Sequence, residues 1–221
     1  MLDADPATLP DTGSLTIAGS GGESHISGNA FIIQRDLAFA LGGSLAVYDN
    51  TVTLGHAAIP TSQLRLESGE FASFVEFNVN IVTWLNEGGL NVSGNFDTSV
   101  QGNSFNGFGT GTAVSIVQDS SDVLDATVQN NTFENFENAL AIELPGAGAE
   151  PFSLTLNGNH FDFPIDAAGK VAVLTDVVEA NLDVDGNTWG EETDLATLNG
   201  YITEVGTTTA GIMEITSVLT P

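Results

Sequence analysis

Thr98-Ser-Val-Gln-Gly-Asn103-Ser-Phe105 is followed by Ala126-Thr-Val-Gln-Asn-Asn131-Thr-Phe133, then by Leu154-Thr-Leu-Asn-Gly-Asn159-His-Phe161 and Leu182-Asp-Val-Asp-Gly-Asn187-Thr-Trp189. The asparagines stand at 103, 131, 159 and 187, a step of 28 residues each time. A fixed internal period in this range marks a solenoid, in which each repeat buries its apolar face only against its neighbours.

Each block carries its own physics. Its third residue (Val100, Val128, Leu156, Val184) is apolar between mostly polar neighbours, the alternation of a strand with one buried face. Gly-Asn or Asn-Asn follows, residues that accept left-handed backbone angles and turn the chain sharply. Two residues after the asparagine comes an aromatic: Phe105, Phe133, Phe161 or Trp189. Stacked coils bring equivalent residues to about 4.8 Å, the spacing of paired strands. The expectation is therefore a ladder of Asn103, Asn131, Asn159 and Asn187, each amide bonding the turn of the next coil, with the aromatics stacked inside. On this reading the asparagines are architecture and not catalysis.

Outward from these blocks the pattern loosens. A second apolar run follows each turn, at Ala113–Val117, Ala139–Leu144 and Val171–Leu174, with offsets that differ while the next asparagine still arrives on schedule. The variation is assigned to loops such as Pro145–Pro151, which bulge out and rejoin. In the first half, Ser24-His-Ile-Ser-Gly-Asn29-Ala-Phe31 fits the block and Leu90-Asn-Val-Ser-Gly-Asn95-Phe96 nearly does. Leu45–Asn50 and Phe71–Phe77 read as strands of coils with diverged turns, and Arg35–Leu41 is the one candidate for a short helix. The fold expected is all-β, a single right-handed parallel β-helix with coils of about 28 residues. Residues 1–23 are assigned to an N-terminal cap or first strand, 24–190 to stacked coils, and 191–221 to a last coil or cap hiding a terminal edge.

Blocks of the form V-x-G-N-x-F resemble the repeats of the pectin-lyase-like right-handed β-helix superfamily. The resemblance covers residues 98–190 well and 24–96 in patches. It implies a fold rather than an activity. Lyases of that superfamily pair calcium-binding acids with an Arg or Lys base, and here only Arg35, Arg65 and Lys170 exist. Its hydrolases combine clustered aspartates with Gly-His-Gly and Arg-x-Lys segments. In this chain Gly55-His56-Ala57 is the nearest approach and Arg-x-Lys is missing, so the resemblance supplies no catalytic residues.

Charge narrows the function classes. Asp and Glu total 29 against 3 Lys and Arg, a net charge of −26 in 221 residues. Only 14% of residues are charged, against roughly 25% in an average soluble protein, so the acidity comes from missing bases. Nucleic acid as a partner needs clustered Lys and Arg facing the phosphates, which this chain lacks, and the same argument weighs against anionic membranes. No apolar run is long enough to span a bilayer, and the acidic opening Met1–Asp5 lacks the basic and apolar regions of a signal peptide. Cysteine is absent, so neither disulfides nor thiolate chemistry is available.

Hard-oxygen ligands gather around one turn, Asp183-Val-Asp185-Gly-Asn187 followed by Glu191 and Glu192, without the spacing of an EF-hand loop. Asp183, Asp185, Asn187 and Glu191 are the candidate ligands for calcium, the one cofactor considered. Carboxylate pairs for glycoside cleavage, Asp162 with Asp166 or Asp183 with Asp185, are expected by chance in so acidic a chain. His25, His56 and His160 are scattered. Leu9-Pro-Asp-Thr-Gly13 is read as a turn, and Asn91-Val-Ser93 and Asn130-Asn-Thr132 as chance matches to the glycosylation pattern. The expectation is a non-enzymatic extracellular or cell-surface β-helix of a surface layer, sheath, fibre or adhesin, self-associating and bridged by cations. The alternative is a carbohydrate-binding or polysaccharide-degrading β-helix, for which exposed Trp84, Tyr48 and Tyr201 would line one wall. A trimeric viral spike shares the fold.

Overall fold

The computed structural model describes residues 14–56, 58–68, 73–93, 96–117, 124–143, 152–163, 171–175, 181–206 and 213–219. The chain winds through three parallel sheets. β1 (Leu15–Ser27) runs along two faces, β2 (Ala30–Ile33) along the third, and β3 (Leu37–Tyr48) along two again. Later coils split the long strand in two. β4 (Thr51–Leu54) lies on the third face, followed by β5 (Thr61–Ser68) on the first and β6 (Ser73–Asn78) on the second. The cycle repeats through β7 (Ile81–Trp84), β8 (Glu87–Ser93), β9 (Phe96–Gln101), β10 (Ser104–Asn106), β11 (Thr112–Val117), β12 (Leu124–Gln129), β13 (Thr132–Glu134), β14 (Asn138–Glu143) and β15 (Phe152–Asn157). It closes through β16 (His160–Asp162), β17 (Ala172–Thr175), β18 (Asn181–Asp183), β19 (Thr188–Trp189), helix α1 (Leu195–Gly200) and β20 (Ile202–Val205). The first two faces form one thirteen-stranded sheet because β3 turns the corner unbroken, pairing with β5 through Leu37–Leu41 and with β6 through Ser44–Tyr48. The third face is a sheet of seven strands.

The asparagine ladder has the expected form. Asn103 donates its backbone N–H and its Nδ2 to Asn131 Oδ1, each at 2.9 Å; Asn131 does the same to Asn159, and Asn159 to Asn187. Each Nδ2 also reaches a carbonyl one coil back: Asn131 to Val100 O, Asn159 to Val128 O, Asn187 to Leu156 O. Both Nδ2 protons and both Oδ1 lone pairs of a central rung are thus used, which is what lets a polar side chain sit in a dry core. The aromatics stack beside it, Phe105 on Phe133, Phe133 on Phe161 and Phe161 on Trp189, with centroids 4.9, 5.0 and 4.6 Å apart and rings within 9° of parallel.

The ladder is longer than the even spacing revealed. Asn29, Asn50 and Asn80 extend it, with steps of 21, 30 and 23 residues from Asn29 to Asn103. The residue before every rung has positive φ: Gly28, Asp49, Val79, Gly102, Asn130, Gly158 and Gly186. Each rung therefore sits on the same left-handed corner, whatever residue makes it. Two expectations fail in the first half. Leu90–Ser93 belongs to β8 and pairs with β5 and β11 on the first face, away from the ladder, although its sequence mimics the block; Asn95 lies outside the described residues. Leu37–Leu41, within the segment read as a short helix, is strand, because its alternation buries Leu37 and Phe39 against β5.

The two ends differ. At the C-terminal end, residues 213–219 cross the last coil. Val218 pairs in parallel with Asn187, Gly186 N–H donates to Ser217 O, and Leu219 N–H donates to Asn187 O. Leu219 thus repeats the bond that Thr188 makes to Asn159 O, and Val218 takes the place of an eighth rung without an amide. Met213 and Ile215 bury against the core with Leu198 of α1, and Asn199 fixes Ile215 through both its N–H and its C=O. The C-terminal end thus consists of a helical turn, β20 paired with β17, and a rung-mimicking strap. At the other end Leu15, Ile17, Ile26, Phe31 and Ile33 are only partly buried, whereas their counterparts in later coils are nearly all fully buried.

Candidate functional site

The ladder residues Asn103, Asn131, Asn159 and Asn187 and the aromatics Phe105, Phe133, Phe161 and Trp189 are all buried, so none is offered to a ligand. The four residues suggested as calcium ligands have separate engagements. Asn187 is wholly buried, its Oδ1 accepting from Asn159 and its Nδ2 donating to Leu156 O and Val184 O. The Asp185 carboxylate accepts from Thr216 N–H at 2.7 Å, Ser217 N–H at 3.0 Å and the Thr216 hydroxyl, tying the C-terminal strap to the last corner. Slight burial works against its charge, but these donors outweigh that and hold its pKa below the ordinary carboxylate range. Asp183 Oδ1 faces Asp185 N–H at 3.3 Å, and Glu191 is exposed beyond β19. Among the described residues no three acids or histidines converge into a group able to hold a metal ion.

The first face carries a shallow concavity of about 490 Å³ across β5 and β8, lined by Arg35, Asp36, Gln63, Arg65, Glu67 and Asn91 among others. It gathers two of the chain's three basic residues. Arg65 Nη2 pairs with Asp36, whose other oxygen accepts Gln63 N–H at 2.8 Å, and Arg65 Nη1 reaches Glu67 at 3.3 Å. Partial burial opposes the guanidinium charge, yet Asp36 and Glu67 raise its pKa above the ordinary value. The result is a polar hollow of mixed sign whose Arg65 is already matched by two acids.

The aromatics that would line a glycan wall do not gather. Trp84 is buried, its Nε1 donating to Ser62 O; Tyr201 packs partly against the core; Tyr48 alone is exposed, edge-on to His25. The histidines stay apart: His56 Nδ1 accepts Ala58 N–H, and His160 bonds the Thr188 hydroxyl one coil on. Asp162 lies in register with Glu134, while Asp166, Lys170, the loop 145–151 and the turn 9–13 lie outside the described residues. The outer surface carries a further consequence of the 28-residue step. Asp97 pairs in register with Asp125 on the second face, and Glu134 with Asp162 on the third, so like charges sit on adjacent strands. Parallel in-register stacking creates these pairs, and the same 28-residue step that spaces the rung asparagines separates their members in sequence.

Comparison with known proteins finds no matching family model, no matching curated protein and no matching solved structure.

Proposed function

We propose that the chain is a non-enzymatic structural module of an extracellular or cell-surface assembly, whose acidic faces are bridged by cations. The observation that carries this reading is how the polar chemistry is spent. Inside, it forms a continuous amide ladder from Asn29 to Asn187; outside, it forms in-register carboxylates, and among the described residues no three acids or histidines converge. A catalytic or cofactor site concentrates unmatched polar groups in one place, whereas here they are distributed along the long axis. In-register pairs such as Asp97 with Asp125 stand on strands about 4.8 Å apart, and a divalent cation or high salt relieves the repulsion between such like charges. The repeat and the three-sheet solenoid support placing the chain beside the pectin-lyase-like right-handed β-helices in fold.

Electron microscopy of the purified chain with and without millimolar calcium tests the reading. Ordered end-to-end or side-by-side assemblies that depend on calcium support it, and dispersed single rods under both conditions contradict it. One observation favours a second reading, carbohydrate binding: the mixed-polarity hollow at Arg65, Gln63 and Asn91, where paired acids and amides suit sugar hydroxyls. A glycan-array signal abolished by Gln63→Ala with Asn91→Ala would favour it over the structural reading.

A further inference from the structure

The two ends of the solenoid are not complementary, and this restricts how copies can join. The C-terminal strap already fills the place of the next coil, with Val218 at the rung position and Leu219 bonded to Asn187 O. A head-to-tail contact would have to displace it. The N-terminal end has no such cover among the described residues. β1 is thirteen residues long and, among the described residues, pairs only with β3. Leu15 and Gly28 send their N–H groups to Asp36 O and Asp49 O in the neighbouring coil. Strand alternation therefore turns the N–H groups of Thr16 and Ser27, both exposed, away from it. The ladder is open on the same side. Asn29 donates to Asn50 Oδ1 and Ser27 O, while its own Oδ1, which accepts two bonds at every central rung, meets no donor among the described residues.

Charge selects the occupant. Residues 14–48 hold only Glu23 and Asp36 against Arg35, a net −1 at neutral pH, while residues 49–221 carry 24 acids against 2 bases, a net −22. The first coil, together with β3 of the next, is thus a stretch of low charge that two copies of this acidic chain can bring together with little repulsion. In sequence, residues 1–13 bring Pro6 and Pro10, which lack a backbone N–H, and the charges of Asp3, Asp5 and Asp11. We infer that the N-terminal coil is a self-association surface whose partner is the N-terminal coil of a second copy, joined about a two-fold axis with the β1 strands antiparallel. Such an isologous contact closes on itself and yields a doubled rod, not an open filament. The inference rests on the structural reading above and names its first contact.

Sedimentation velocity combined with hydrogen exchange tests it. The wild-type chain should sediment at twice the chain mass as one elongated species, and β1 amides should gain protection as concentration rises. Thr16→Pro with Ser27→Pro removes two outward N–H groups that bond nothing in the described structure, and should give monomers with an unchanged circular dichroism spectrum. Should that variant misfold, Thr16→Asp with Ser27→Asp sets like charges across the two-fold edge and should also give monomers. Wild-type monomers at every concentration, dimers that survive a folded double variant, or filaments of more than two rods each overturn the inference. Calcium-dependent side-by-side sheets of single rods overturn it while leaving the structural reading standing; single rods under all conditions remove both.

Discussion

Replacing Asn131 by Ala strikes the middle of the ladder, and the structure sets the size of the loss. The Asn131 side chain takes part in four hydrogen bonds: it accepts from Asn103 N–H and Nδ2, and donates to Val100 O and Asn159 Oδ1. At about 0.5–1.5 kcal/mol net for each bond, their removal costs roughly 2–6 kcal/mol. Asn103 N–H is then left buried without an acceptor, which places the total towards the upper part of that range. A domain of this kind has about 5–15 kcal/mol in all, so the variant should be folded only marginally. Two controls grade the effect. Asn29→Ala removes a terminal rung that is exposed and only donates, and should cost less than about 1 kcal/mol. Asn157→Ala removes an outward side chain two residues before a rung and should stay within about 0.5 kcal/mol. Urea unfolding followed by far-ultraviolet circular dichroism gives the midpoints, and amide exchange of β9, β12 and β15 shows whether the loss is local. Equal costs at positions 29, 131 and 157 would refute the claim that the ladder holds the coils in register.

Val79 is an exposed β-branched residue held at φ 57°, where four of the other corners use glycine, so Val79→Gly should raise stability by about 1 kcal/mol in thermal unfolding, and Val79→Ala by less. Asp125→Asn breaks the in-register acid pair with Asp97; it should stabilise by a few tenths of a kcal/mol at low ionic strength, with the gain fading as salt or calcium is added. Asp185 has a depressed folded pKa, so its contribution is present above the unfolded carboxylate value and disappears as pH falls through the folded one. The stability gap between wild type and Asp185→Asn should therefore shrink on acidification in a series of urea titrations, and a gap constant across that window would count against the strap contact.

How much of this was legible depended on where the repeat stayed regular. Between Asn103 and Asn187 the loops compensate one another, so the rung asparagines keep a step of 28 and the period stands out. Asn50 and Asn80 escaped because Asp49 and Val79 occupy the left-handed corner that Gly or Asn marks elsewhere, and because the steps shrink and stretch to 21, 30 and 23. A better signal was present: every rung has an apolar residue three before and two after it, as in Val47 and Val52 around Asn50, or Phe77 and Val82 around Asn80. Leu90–Asn95 misled for the opposite reason, since a local V-x-G-N match does not say which of three faces a strand occupies. The C-terminal strap was invisible as a rung because Val218 takes the position without the amide. The acids around Asp185 looked like a cation cradle in one dimension, yet the carboxylate serves as the anchor of that strap.

The central claim, that the buried asparagines are architecture, is tested most directly by nuclear magnetic resonance measurement of side-chain amide exchange. The Nδ2 protons of Asn80, Asn103, Asn131, Asn159 and Asn187 should exchange far more slowly than those of Asn91 and Asn157, because each of the five donates into the core and the other two face outward. Uniformly fast exchange across all seven would contradict the ladder and, with it, the account of how this chain is built and what it is for.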